Sequence, residues 1–145
     1  MMTAAGKSLF TIASLVFAHS AMASSVAGYV TKVVGDCMPG SASCTTLPVE
    51  TEVLVMKGKV KAPTNSASLA VENLLQSENL WARIKTDSQG HYSTDIEPGV
   101  YTLFAVFGDR AYLNLFTGAG DFWHVNIEDS KNLRFDIENT EEAYF

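Results

Sequence analysis

Hydrophobic and polar residues alternate along most of the chain after residue 25, and this alternation predicts short β-strands. The stretch from Leu80 to Phe107 shows it most clearly. Three alternating runs lie within it, at 80–86, 91–96 and 100–107. Two turns separate them, Asp87–Gly90 and Glu97–Gly99, because Asp, Pro and Gly each favour a chain reversal. We therefore predict a small antiparallel meander. Its third strand is apolar on both faces, so we expect it to be central and covered on both sides.

The same alternation predicts further strands at 26–34, 49–57, 111–117, 122–128 and 133–137. The connection 58–79 is the longest interruption, and its second half changes to helical spacing, with Leu69 and Leu74 on one face. We expect one short helical turn there, capped by Ser66 or Ser68 and crossing from one sheet to the other. The fold class is therefore all-β: a single antiparallel β-sandwich of about seven strands.

The turn-rich stretch carries a motif that resembles known domains. Thr86-Asp87, Gly90 and Tyr92 precede Pro98-Gly99, then Tyr101 and Leu103. The pattern resembles the carboxypeptidase regulatory-like domains, which are similar in fold to transthyretin and to the B-type (Cna-B) repeats of bacterial surface adhesins. The resemblance implies a β-sandwich for residues 24–145 and no particular activity, because such domains occur in many unrelated proteins.

The resemblance also raises the question of an internal crosslink. B-type repeats often carry an isopeptide bond between a lysine and an asparagine. Lys32 on the first predicted strand, with Asn132 or Asn139 near the last, could imitate that arrangement. We expect an ordinary surface lysine instead.

Residues 1–23 have the layout of a secretory signal peptide. Lys7 precedes an apolar run at 9–18, and Ala21-Met22-Ala23 has the small residues of a cleavage site. The apolar run is shorter than the roughly 20 residues of a membrane-spanning helix, so a retained membrane anchor is the weaker alternative. We predict cleavage near Ala23, a periplasmic or secreted location, and no membrane span after cleavage.

Charge and cysteine content narrow the function classes. Residues 24–145 hold sixteen acidic and nine basic residues, a net charge of −7 that argues against nucleic-acid binding. Cys37 and Cys44 are the only cysteines, and in an exported chain we expect them to form a disulfide. A Cu(I) site with Cys37, Met38, Cys44 and a histidine is the alternative. That spacing matches no closed metal motif, so we predict neither metal nor cofactor.

No set of residues has the spacing of a catalytic centre. The sequence has no Gly-x-Ser-x-Gly elbow, no phosphate-binding loop and no dinucleotide-binding glycine pattern. His91 and His124 lie on different predicted strands, without a second histidine at ligand spacing. We therefore predict no catalytic residues and no enzymatic activity, and expect a module that binds another envelope or secreted protein.

Aromatic residues supply the candidate binding surface. We predict Trp81, Phe116, Phe122 and Trp123 as binding residues, because strand alternation does not let all of them face one core. Phe116 and Phe122 flank the 117–121 loop and share the face predicted to point away from the core. Aromatic side chains near a loop bind sugar rings or protein partners, so carbohydrate binding is the alternative function. Burial of both sheet faces, by the long connection among others, would remove this surface.

Overall fold

The computed structural model describes residues 24–145, and the predicted signal peptide at 1–23 lies outside them. Within this range eleven strands and one short helix form two packed sheets. The elements are β1 (Ser24–Asp36), β2 (Thr45–Pro48), β3 (Glu52–Lys57), β4 (Ser68–Ala70), α1 (Val71–Leu75), β5 (Leu80–Lys85), β6 (His91–Ile96), β7 (Gly99–Phe107), β8 (Arg110–Tyr112), β9 (Val125–Ile127), β10 (Asn132–Arg134) and β11 (Ile137–Tyr144). The predicted all-β sandwich with one short helix is therefore confirmed. In the described part of the chain, no helix has the length and apolar character needed to cross a membrane.

The first sheet is built around β1, whose 13 residues pair along both edges. One edge pairs antiparallel with β6 and then with β2. The other edge pairs in parallel with β10 and then with β11. The first and last strands of the described chain are therefore parallel neighbours, so the sandwich is mostly but not wholly antiparallel.

The second sheet is centred on β7, which pairs with β3 on one edge and with β8 and β9 on the other. Strands β5 and β4 form its outer edges. The face with Leu103 and Tyr112 points toward the first sheet, where the Thr140 backbone N–H donates to the Tyr112 hydroxyl at 3.4 Å. Leu54 and Phe104 on the opposite face are also fully buried. The prediction that this central strand is covered on both sides is confirmed.

The predicted meander is wrong, because its three strands do not pair with one another. Strands β5 and β7 both pair with β3 in the second sheet, whereas β6 pairs with β1 in the first. The turn at Asp87–Gly90 therefore carries the chain between sheets. Buried Thr86 anchors this crossing, since its hydroxyl donates to Val49 O and accepts the Thr51 N–H, both at 2.7 Å. A turn motif specifies a change of direction and leaves the pairing partner open.

The long connection contains the predicted helical turn, but its cap and its path differ from the prediction. Ser68 belongs to β4, so neither it nor Ser66 caps α1, and Ala70 stands at the N-cap without a side-chain hydrogen bond. Strand β4 pairs with β8 and β5 returns to β3, so the connection stays with the second sheet instead of crossing. Backbone pairing with β8, reinforced by a hydrogen bond from Arg110 Nε to Ser68 Oγ, holds this serine in a strand.

The acidic tail continues the first sheet, so the predicted end of the last strand at residue 137 is wrong. Strand β11 runs to Tyr144 beside β1, with Asn139 opposite Lys32. The Lys32 amine lies 3.5 Å from the Glu142 carboxylate, and Asn139 Oδ1 accepts the backbone N–H of Glu141. Lys32 therefore makes an ordinary surface ion pair.

Cys37 and Cys44 form the predicted disulfide, which closes the loop between β1 and β2. Within residues 24–145 no cysteine is free. Met38, the third residue of the alternative Cu(I) set, is about half exposed on this loop.

Replacing both cysteines with serine should lower the free energy of unfolding by about 2–3 kcal/mol, because the short closed loop constrains the unfolded chain. Urea denaturation of the oxidised protein and of the Cys37→Ser/Cys44→Ser variant measures this difference. Met38→Ala, in the same loop, should change stability by no more than about 0.5 kcal/mol. Two reactive thiols in the unreduced protein would contradict the expected disulfide.

Candidate functional site

Residues 115–123 form a small hairpin beside the second sheet, and the predicted strands at 111–117 and 122–128 are shorter than expected. The Trp123 N–H donates to Leu115 O at 2.8 Å, and Phe116 pairs with Phe122. Paired residues of an antiparallel ribbon project from the same side, and their neighbours from the other. Phe116 and Phe122 therefore share one face of this hairpin, and Leu115 and Trp123 share the opposite face.

The inner face of the hairpin is fixed to the core through Phe122. This side chain is fully buried and packs edge-on against Phe104, with ring centroids 4.9 Å apart. It also stacks on Phe116 at 5.4 Å. The prediction that Phe122 points away from the core is wrong. Its surface is covered by protein, so its contribution is to support Phe116, which is 44% exposed.

The outer face of the hairpin presents a pair of exposed apolar side chains. Leu115 is 46% exposed and Trp123 47% exposed. The Trp123 ring lies nearly parallel to that of His124, with 6.4 Å between centroids. The Nδ1 atom of His124 is buried and has no hydrogen-bond partner among residues 24–145. Trp123, one of the predicted binding residues, is therefore accessible to a partner.

A groove of about 560 Å³ lies between the hairpin and the segment 62–67. Two backbone hydrogen bonds of 2.9 Å tie its ends, from Ala62 N to Gly120 O and from Leu113 N to Ala67 O. Between these bonds the two segments separate and leave an open space. Its lining includes Pro63, Thr64, Asn65, Asn114, Phe116 and Asp121. Hydroxyl, amide and carboxylate groups therefore surround one aromatic ring, in a volume typical of small-molecule sites.

Trp81 does not belong to this site. It lies on β5, at the edge of the second sheet, and packs edge-on against Tyr101 with 5.8 Å between ring centroids. It is absent from the groove lining, and its side chain is half-buried. Of the four predicted binding residues, the structure brings Phe116, Phe122 and Trp123 together and leaves Trp81 apart.

The sequence analysis did not predict three parts of this surface: Leu115, Asn114 and the segment 62–67. The segment belongs to a polar stretch that contains Pro63, which indicates a loop. Its place beside the hairpin depends on the two long-range backbone hydrogen bonds at the groove ends. No local pattern encodes such contacts, so only the structure reveals the groove.

Shifted pKa values occur at groups outside the groove. Burial raises the pKa of Tyr92, whose hydroxyl donates to Phe135 O in the core. A hydrogen bond from Arg83 on β5 lowers the pKa of Glu52 on the neighbouring strand β3. Backbone N–H groups in the turn lower the pKa of Asp87. Each shift has a structural cause. Within residues 24–145, no three His, Cys, Asp or Glu residues are placed to hold a metal ion.

Comparisons with known proteins add one similar structure. No family model matches the chain, and no curated protein matches it. Among solved structures it is similar to GBS52, the minor pilin of the Gram-positive pathogen Streptococcus agalactiae, at 20% sequence identity and a TM-score of 0.40. The match covers 82% of this chain and 45% of that one, so the chain spans less than half the length of the pilin chain.

Proposed function

We propose that the protein is an exported, non-catalytic binding module whose partner is another envelope or secreted protein. We name the hairpin 115–123 and its groove the aromatic end, and place the partner there. The observation that carries this proposal is the exposed pair Leu115 and Trp123 on a hairpin whose inner face is anchored in the core. The disulfide supports export, because disulfides persist in oxidising compartments. The motif around Thr86 and Gly90 supports a carboxypeptidase regulatory-like domain.

The aromatic end has the properties of a protein-binding surface. Tryptophan is enriched among the residues that dominate binding energy, because it buries a large rigid area at low entropic cost. Packing of Phe122 on Phe104 holds the hairpin in place before binding, which reduces the cost of ordering it. Leu115 extends the same apolar face. A partner with an apolar depression would bury both side chains.

Carbohydrate binding is the second candidate, and the groove is the observation that favours it. The Phe116 ring is partly exposed in a groove that also presents Thr64, Asn65 and Asp121. An aromatic face can stack on a sugar ring, while hydroxyl, amide and carboxylate groups can bond its hydroxyls. This site uses the opposite face of the hairpin from Trp123.

The two faces allow a single experiment to separate the two functions. Trp123→Ala should lower recovery of a crosslinked protein partner at least about tenfold, because truncating a central tryptophan costs roughly 2 kcal/mol or more. Phe116→Ala should leave that recovery nearly unchanged and abolish any glycan-array signal. Tagged protein is crosslinked in cells, purified from periplasm and medium, and quantified by mass spectrometry.

Met38→Ala is the matched control, since Met38 is equally exposed but lies on the disulfide loop. It should behave as the unsubstituted protein in both assays. Partner recovery that Trp123→Ala leaves unchanged would overturn protein docking on this face. A glycan array without signal above background would remove the carbohydrate candidate.

A further inference from the structure

The outer face of the first sheet carries an ordered group of polar side chains around one aromatic ring. Strands β6, β1 and β10 lie side by side, and their register aligns outward residues in rows. The rows are Asp95–Ser25–Asn132, Ser93–Ala27–Arg134 and His91–Tyr29–Asp136, the last completed by the hydrogen bond from Tyr29 N to Asp136 Oδ1. Ala27 is the smallest of these residues and occupies the centre.

This arrangement leaves a depression of about 290 Å³ over the small central residue. We name it the Tyr29 cup. Its lining includes Ser25, Ala27, Tyr29, His91, Asn132 and Arg134. A volume of this size is large enough for a single six-membered ring with a substituent.

Tyr29 forms a fixed wall of the cup. Its ring centroid lies 5.0 Å from that of His91 and 5.5 Å from Arg134 Cζ. A guanidinium at this distance over an aromatic face is attracted by the ring quadrupole. Tyr29 remains 40% exposed, so part of its surface is available to a ligand. The aromatic wall is therefore held from two sides while open to solvent.

Arg134 is positioned by one edge of its guanidinium and leaves the other edge unused. Its Nε donates to Asp136 Oδ2 at 3.1 Å, and its Nη2 lies 3.0 Å from the same oxygen in an ion pair. The same carboxylate accepts the Tyr29 backbone N–H at 2.9 Å, which fixes it to β1. A guanidinium has a second two-pronged edge, formed by Nη1 and the outer hydrogen of Nη2. Among residues 24–145, Nη1 has no hydrogen-bond partner.

Asn132 supplies a second oriented donor two residues before Arg134. Its Oδ1 accepts the Ser25 hydroxyl at 2.6 Å, which assigns the side-chain nitrogen as the donor end. That nitrogen has no hydrogen-bond partner in the described range 24–145. Residues i and i+2 of a strand lie on one face, about 7 Å apart, so both donors border the same depression.

We propose that the Tyr29 cup binds a ring-shaped small ligand that carries a carboxylate. The unused edge of Arg134 receives the carboxylate, Asn132 donates a hydrogen bond, and the ring lies over Ala27 against Tyr29. A planar carboxylate matches the two-pronged edge of a guanidinium better than a neutral hydroxyl does. Asp136 offsets the charge of Arg134, so the preference for a carboxylate over a neutral hydroxyl comes from hydrogen-bond geometry. The site is separate from the aromatic end and does not depend on the proposed function.

Nuclear magnetic resonance titration of the ¹⁵N-labelled protein tests the proposal with D-glucuronate and, as its neutral counterpart, D-glucose. We expect glucuronate to shift backbone amides of β1, β6 and β10 saturably, with a dissociation constant in the millimolar range, about −4 kcal/mol. Glucose should bind at least about fivefold more weakly, a difference of roughly 1 kcal/mol. Both titrations are run at equal ionic strength.

Three variants separate the cup from a general effect of charge. Arg134→Gln should abolish the preference for glucuronate, and Ala27→Val should fill the depression and weaken both sugars. Arg83→Gln is the matched control, since Arg83 is paired with a carboxylate, that of Glu52, but lies on β5 in the other sheet. It should leave the titration unchanged. Equal binding of the two sugars, shifts confined to other strands, or undiminished glucuronate binding by Arg134→Gln would each overturn the proposal.

Discussion

Replacing Phe122 with alanine should lower the free energy of unfolding by about 3–5 kcal/mol, as expected for a large aromatic side chain removed from a core. Phe122 is fully buried and joins Phe104 below it to Phe116 above it. Its loss leaves a cavity between the hairpin and the outer face of the second sheet. Urea denaturation followed by circular dichroism measures the change.

The neighbouring substitution Trp123→Ala is the control for this effect. Trp123 is adjacent in sequence but about half exposed, so its replacement should cost less than about 1 kcal/mol. Phe122→Leu retains much of the buried volume and should fall between the two. Similar small losses for Phe122→Ala and Trp123→Ala would contradict the assignment of Phe122 to the core.

Strands bounded by clear turn residues were predictable from the sequence. Strand β6 begins and ends where the pattern predicts, at His91 and Ile96, and its inward residues Tyr92 and Ile96 are buried. Gly90 adopts a φ of 78°, which its lack of a Cβ permits at the turn before this strand. Local chemistry fixes such boundaries, because turn and strand preferences act over a few residues.

Strand partners were not predictable, because pairing is a long-range property. The turns on either side of β6 have the composition of hairpin turns, yet both connect one sheet to the other. Burial of apolar side chains decides whether such a turn forms a hairpin or connects the two sheets. Tyr92 and Ile96 complete the core only when β6 joins β1, where they face the second sheet.

The burial of Phe122 was mispredicted for a related reason. Alternation along 122–128 places Trp123, Val125 and Ile127 on one face, and the last two are buried as expected. The chain leaves the hairpin after Trp123 and enters β9 only at Val125. Phe122 packs on Phe104 at the outer face of the second sheet, whereas Val125 pairs with Tyr101 and shares the inner face. Phe122 is buried because the hairpin covers the outer face, and a local pattern does not predict such a cover.

The candidate surfaces depended on contacts that a sequence pattern cannot express. The groove of the aromatic end forms only where segment 62–67 contacts the hairpin. The Tyr29 cup forms only where β10 lies in parallel beside β1. The acidic tail has few apolar residues, so no strand was predicted after residue 137. It forms β11 because Ile137 and Asn139 are buried beside β1. The Tyr29 cup therefore depends on the parallel pairing of β1 with β10.

Replacing Gly28 with alanine should lower the free energy of unfolding by about 3 kcal/mol or more, because the added Cβ has no space. An ideal Cβ at this position would lie 1.8 Å from the carbonyl oxygen of Phe135. Phe135 is held on both sides, because its N–H donates to Ala27 O at 2.8 Å and its carbonyl oxygen accepts the buried Tyr92 hydroxyl. Relief of the overlap must move backbone, which disturbs both hydrogen bonds.

Gly108→Ala provides the control, since Gly108 has a φ of 64° but no atom within 4 Å of the added Cβ. It should cost only about 1 kcal/mol, the strain of a left-handed conformation for alanine. Urea denaturation measures both variants. A larger loss of stability for Gly28→Ala than for Gly108→Ala measures the effect of the close approach of β1 to the segment 132–137. Equal losses would contradict that approach, and with it the parallel register that places Arg134 and Asn132 beside Tyr29.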